Sequence, residues 1–149
     1  MALIDLIEES VIKAPLVAKD KEAAIHELVN LLATAKKIQD PDAAYAAVLA
    51  REAKGSTGLS DGIAVPHGKT VAAPALTIAI GVSANGVLFE SLDGKPATLI
   101  FLILAPPDQS GPHIEALAEI ARMSRSTAFC AALAGCRTAA EVVGMFKGD

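Results

Sequence analysis

The sequence predicts an α/β fold, a single domain with a mixed central β-sheet and helices on both faces. Three observations carry that prediction. The run ATLIFLILA, residues 97–105, is continuously aliphatic, the mark of a central strand covered on both sides. Capped helical stripes and short strands surround it in an order that places helices over a sheet. Hydrophobic residues make up 52% of the chain, much of it alanine, while aromatics are 3% and Trp is absent. That composition suits helices packed closely on aliphatic strands better than an aromatic-rich β-sandwich. A length of 149 residues supports one sizeable core. The chain shows no internal repeat, low-complexity segment or linker, so one domain over 1–149 is expected.

Taken in order, Asp20 caps a helix running to about Lys37, with Ile25, Leu28, Val29 and Leu32 forming one buried stripe. His26 falls on the partly exposed flank of that stripe. Asp40-Pro41 opens a second helix that stops at Gly55. The loop GSTGLSDG follows, then a short strand IAV that ends at Pro66-His67-Gly68. ALTIAIGVS, from Ala75, alternates large and small apolar residues as a strand does. GVLFESLDGKP reads as a short strand or turn closed by Asp93-Gly94, and leads into the central run. After PPDQSG a helix starts near Pro112, with Ile114, Leu117, Ala118 and Ala121 on one face. Ser126 caps a helix that stops at Gly135, and Thr138-x-x-Glu141 is a capping box for a last helix carrying Val142, Val143 and Phe146.

The totals exclude several classes. The net charge is -4 and the basic residues are scattered, so no nucleic-acid surface is expected, because phosphate backbones need clustered Lys and Arg. Cys130 and Cys136 lack zinc spacing and are too few for a disulfide framework; both read as buried and reduced. The acidic N-terminus is unlike a signal peptide, and the longest apolar stretch is too short to span a bilayer. A cytoplasmic protein with no direct membrane insertion is the expectation.

His67 stands out among only three histidines. Pro66 fixes its own φ and restricts Val65, so the strand delivers His67 in a defined direction. Gly68 is expected to let the backbone bend and a bulky group come close. An imidazole there has a free ring nitrogen near neutral pH and could serve as nucleophile, base or ligand. His113 follows Gly111-Pro112 in the first turn of a helix, where free amides and the positive helix end favour a neutral ring and an anion. It equally fits a half-buried histidine at a helix end. Arg51, near the end of the second helix, either complements the helix dipole or offers a planar fork to a phosphate. On residue types alone, a His-His-Arg site and three unrelated structural residues both stay open.

Other chemistries fit less well. Two histidines without a third nearby ligand do not make a zinc site. GSTGLSDG lacks the Walker and Rossmann spacings. G-L-S-D-G formally matches a nucleophile elbow around Ser60, but here the strand follows the motif instead of preceding it. No cofactor and no metal are expected.

The segment REAKGSTGLSDGIAVPHGKT, Arg51 to Thr70, resembles the active-site segment of enzyme IIA of the fructose/mannitol class, which includes the nitrogen-regulatory type. These are phosphocarrier domains of the bacterial phosphoenolpyruvate-dependent phosphotransferase system (PTS). The similarity continues through DGKPATLIFLILAPPDQSGPHIEALAEIARM and spans nearly the whole chain. The resemblance implies an α/β sandwich fold and a phosphotransferase role. It implies that His67 receives a phosphoryl group from HPr or its nitrogen-branch paralogue, that His113 supports the phosphorylated form, and that Arg51 contacts the phosphate. The acceptor would be an enzyme IIB, or else a regulated protein whose binding depends on the charge at His67. A degenerate binding module that keeps the fold without the chemistry is the remaining alternative, and the presence of all three residues argues against it.

Overall fold

The structure, a computed structural model, describes residues 3–59 and 61–148. Ser60, the centre of the elbow-like motif, lies outside the described residues. Two short 3-10 turns, Leu3–Leu6 and Glu9–Val11, lead into strand β1 (Ile12–Lys13). Helices α1 (Lys21–Thr34) and α2 (Pro41–Glu52) follow, then strands β2 (Ile63–Ala64), β3 (His67–Lys69), β4 (Thr77–Val87) and β5 (Ala97–Ala105). Helices α3 (Ser110–Met123), α4 (Thr127–Ala134) and α5 (Ala139–Lys147) complete the chain.

The sheet order is β1-β4-β5-β2, and β3 continues along the same edge of β5 as β2. β4 and β5 pair antiparallel, with Ile78 opposite Ile103 and Ile80 opposite Phe101. β1 runs parallel to β4, and β2 and β3 run parallel to β5, so the sheet is mixed. Along β5 every residue except Thr98 is buried. Because successive side chains point to opposite faces, both faces of that strand are covered. Pro66 has no N–H for the ladder and splits one edge strand into β2 and β3, while its carbonyl accepts from the Ile103 amide at 3.0 Å.

Helix starts follow side-chain chemistry. Asp20, Asp40, Ser126 and Thr138 each accept a backbone N–H three residues on, as expected of N-caps. The ends differ from the periodicity. α1 stops at Thr34, not Lys37, because Lys36 adopts a left-handed conformation (φ 62°) and the Lys37 amide bonds back to the Leu32 carbonyl at 2.9 Å. α2 stops at Glu52, and a tight turn carries the chain to Gly55. The ALTIAIGVS strand runs further than expected, to Val87, with an irregular register between Val82 and Val87. The 88–96 segment is a turn beyond the strand.

α3 needs a larger correction. It begins at Ser110, two residues before Pro112, since proline is tolerated within a first turn. Its buried face is His113, Ala116 and Ile120; Ile114 is 66% exposed, Ala118 and Ala121 face outward, and Leu117 is half-buried. Cys130 and Cys136 are free and buried, and burial pushes both thiols up, so neither is a poised nucleophile.

Candidate active site

His67 opens β3 on the sheet edge, directly after buried Pro66. Its Nδ1 lies 2.9 Å from the Val65 carbonyl oxygen. A carbonyl can only accept, so Nδ1 carries a proton, and in the neutral ring the lone pair lies on Nε2. Gly68 does not bend the chain as expected. It sits in extended strand, and what comes close is the backbone of α2: a Cβ at Gly68 would lie 3.2 Å from Ala47 C and Val48 N. The absent side chain lets α2 seat directly on β3. One turn beyond Ala47, that helix delivers Arg51 to the cleft that His67 lines.

The GSTGLSDG loop after α2, which lacks phosphate-loop spacing, is held by its own and neighbouring side chains. Glu52 is buried and accepts from the Thr57 amide (3.2 Å) and the Thr57 hydroxyl. Lys21 Nζ lies 3.1 Å from Glu52 and 3.1 Å from Glu90. Burial works to lower the Lys21 pKa, but its two carboxylate partners hold it above the ordinary lysine value. Ser56 Oγ donates to the Phe89 carbonyl at 2.7 Å and accepts from the Gly58 amide. At Gly58 a Cβ would meet Ser91 Oγ at 2.8 Å, so glycine is required for the two loops to touch. Arg51 Nη1 donates to the Gly55 carbonyl at 2.9 Å, which ties its side chain to this same loop. The hydroxyls of Ser56 and Thr57 are therefore occupied in holding the loop.

His113 sits in α3 with its ring edge-on to that of His67, centroids 5.3 Å apart and planes at 77°. It is 4% exposed, and its Nε2 has no hydrogen-bond partner among the described residues. Burial, helped by repulsion from His67 whenever that ring is protonated and from Lys69, pushes its pKa down to about 4, so the ring is neutral at neutral pH. Its own amide bonds to the Gln109 carbonyl at 3.2 Å, contrary to the expectation that it lies among the free amides. Those belong to Ser110 and Gly111, one turn earlier.

Arg51, His67 and His113 thus line one open cleft of about 490 Å³, together with Lys54, Lys69, Ile114 and Leu117. Arg51 and His67 also line a neighbouring cleft of about 260 Å³. Sequence reasoning missed Lys54 and Lys69. Lys69 was legible through strand period, since residues 67 and 69 share a face. Among the described residues no His/Cys/Asp/Glu group could hold a metal, and no helix is long and apolar enough to cross a membrane.

The family of phosphoenolpyruvate-dependent sugar phosphotransferase systems, EIIA 2, matches residues 5–148. The chain belongs to this family. The family is one of phosphotransferase-system components. The chain is similar to the PTS system fructose-specific EIIABC component of Bacillus subtilis, 41% identical over 123 residues, which are 83% of this chain and 19% of that protein. The chain thus spans about a fifth of that relative's length. A nitrogen regulatory protein of Bradyrhizobium diazoefficiens is 37% identical over 128 residues, 84% of this chain and 81% of that protein. Among solved structures, nitrogen regulatory protein IIA-Ntr from Neisseria meningitidis superposes with a TM-score of 0.87 at 28% identity, covering 97% of this chain and 98% of that one.

Proposed function

We propose that His67 is the phosphoryl acceptor of this EIIA-family chain, taking the group from HPr and passing it to an enzyme IIB in sugar uptake. The observation that carries the reading is the locked imidazole. Nδ1–H is held by the Val65 carbonyl, so in the neutral ring the lone pair lies on Nε2 and its attack needs no base.

In the transfer, His67 Nε2 forms a bond to phosphorus as the N–P bond of the donor's phosphohistidine breaks. The electron pair of the broken bond stays on the donor ring, and the proton of His67 stays on Nδ1, hydrogen-bonded to the Val65 carbonyl. Arg51 and Lys54 supply positive charge to the three equatorial oxygens. His113, neutral and buried, lets the group approach without competing for the proton. Return transfer to an enzyme IIB reverses the same steps. Exposed Ile114 and half-buried Leu117 at the cleft provide the apolar surface that partner proteins cover. The predicted unit is the whole of residues 1–149, acting in the cytoplasm, where phosphoenolpyruvate is made.

A regulatory role is the second reading, favoured by the nitrogen regulatory relatives and the 0.87 TM-score to IIA-Ntr. The chemistry at His67 is unchanged, but the charge gained there would switch which protein binds. The donor would then be the nitrogen-branch paralogue of HPr.

The test is intact mass after incubation with phosphoenolpyruvate, enzyme I and an HPr-type carrier. Wild type should gain one acid-labile phosphoryl group and His67→Ala none. Retained phosphorylation of His67→Ala would sink the assignment. Adding candidate enzyme IIB then separates the branches: onward transfer supports uptake, and a phosphorylation-dependent change of partner supports regulation.

A further inference from the structure

Lys69 is the cation whose distance from His67 is set by the chain itself. The two residues are i and i+2 on β3, on the same face and about 7 Å apart at Cα. Both line the cleft, and an extended lysine stem spans that separation. Lys69 is exposed, and its Nζ donates to Ser110 Oγ, 2.8 Å away, at the start of α3. His113, with its buried unpartnered Nε2, lies one turn further along that helix. An ammonium resting on a neutral hydroxyl is weakly held, whereas a dianion on His67 would offer charge-assisted acceptors. Arg51 is less free to move, because Nη1 already serves the Gly55 carbonyl.

Building on the reading of His67 as acceptor, we infer that Lys69 is a movable phosphoryl-binding residue, resting on Ser110 in the free protein and turning to the phosphoryl oxygens once His67 Nε2 carries them. Lys69 thereby neutralises part of the dianion and lengthens the life of the phosphorylated state. The move also releases the Ser110 hydroxyl, so phosphorylation at the sheet edge is reported at the head of α3.

The experiment uses potassium phosphoramidate as the phosphoryl donor, so that no partner protein is needed. Wild type, His67→Ala, Lys69→Met and Lys69→Arg are compared by ³¹P NMR across pH. A cation beside the phosphoryl group lowers its second pKa, so Lys69→Met should raise it by about one unit. Lys69→Arg should restore most of the wild-type value, and the Lys69→Met phosphoprotein should hydrolyse several-fold faster at neutral pH. A purely structural lysine would leave the ³¹P titration where it is. A wild-type phosphohistidine whose titration ignores Lys69→Met overturns this inference and leaves His67 as acceptor. If no wild-type resonance is lost in His67→Ala, the acceptor reading falls and the inference with it.

Discussion

The tautomer of His67 and the neutrality of His113 have separate causes, and both can be measured. The Val65 carbonyl imposes the first through one hydrogen bond, and burial imposes the second. Because the folded His113 pKa lies near 4 and the ordinary value is 6.5, the unfolded chain binds the proton more readily. His113 therefore stabilises the fold fully above about pH 6.5, and that contribution is lost as pH falls toward 4. The shift corresponds to about 3 kcal/mol at its full extent. Urea unfolding at pH 7 and pH 4.5 should show a steeper acid loss in wild type than in His113→Gln. Equal losses would mean that the buried ring titrates normally. At this scale residue types are legible in the sequence and their environment is not. His67, His113 and Arg51 could be named from residue types and resemblance. The bond to Val65, the orphan Nε2 and the Lys69–Ser110 contact depend on three-dimensional placement.

At the scale of elements, the seat of α2 on β3 decides where Arg51 sits. Gly68→Ala would bring a Cβ to 3.2 Å from the helix backbone, so the helix must shift by a few tenths of an ångström. Such overpacking costs about 1–2 kcal/mol. Its larger effect should be kinetic, because displaced Arg51 stabilises the transferring oxygens less well. Phosphorylation should slow by about tenfold, measured as the rate of mass gain with an HPr-type donor. A variant that loses stability and keeps the full rate would separate Gly68 from the site. Elements whose signals are local were legible: the Asp20 and Asp40 caps, the aliphatic β5, and the Thr138 box. The stop of α1 was hidden because lysine, not glycine, takes the left-handed position at residue 36. The start of α3 was misplaced because Gly111-Pro112 resembles a boundary, yet both lie inside the first turn. The burial of Glu52 had no signal in the sequence, since its partner Lys21 is distant along the chain.

Across the whole molecule, one hydrophobic cluster runs from Leu3 to Val142 and draws on every helix. Residues 1–149 should accordingly unfold as one unit, giving a single calorimetric transition whose van't Hoff and calorimetric enthalpies agree. Two resolved transitions would contradict a one-domain chain. The net charge of -4 conceals a local excess of cations, with Arg51, Lys54 and Lys69 gathered at the cleft. They cluster because α2 and β3 converge, which composition alone does not reveal. The central claim is that this convergence presents His67 Nε2, and no other nitrogen, to a phosphoryl donor. The most direct test is ¹⁵N NMR of the histidine rings before and after phosphorylation. The account predicts a proton on Nδ1 of His67 in the free protein and phosphorus on Nε2 of the same ring afterwards. Phosphorus on Nδ1, or on either nitrogen of His113, would contradict it.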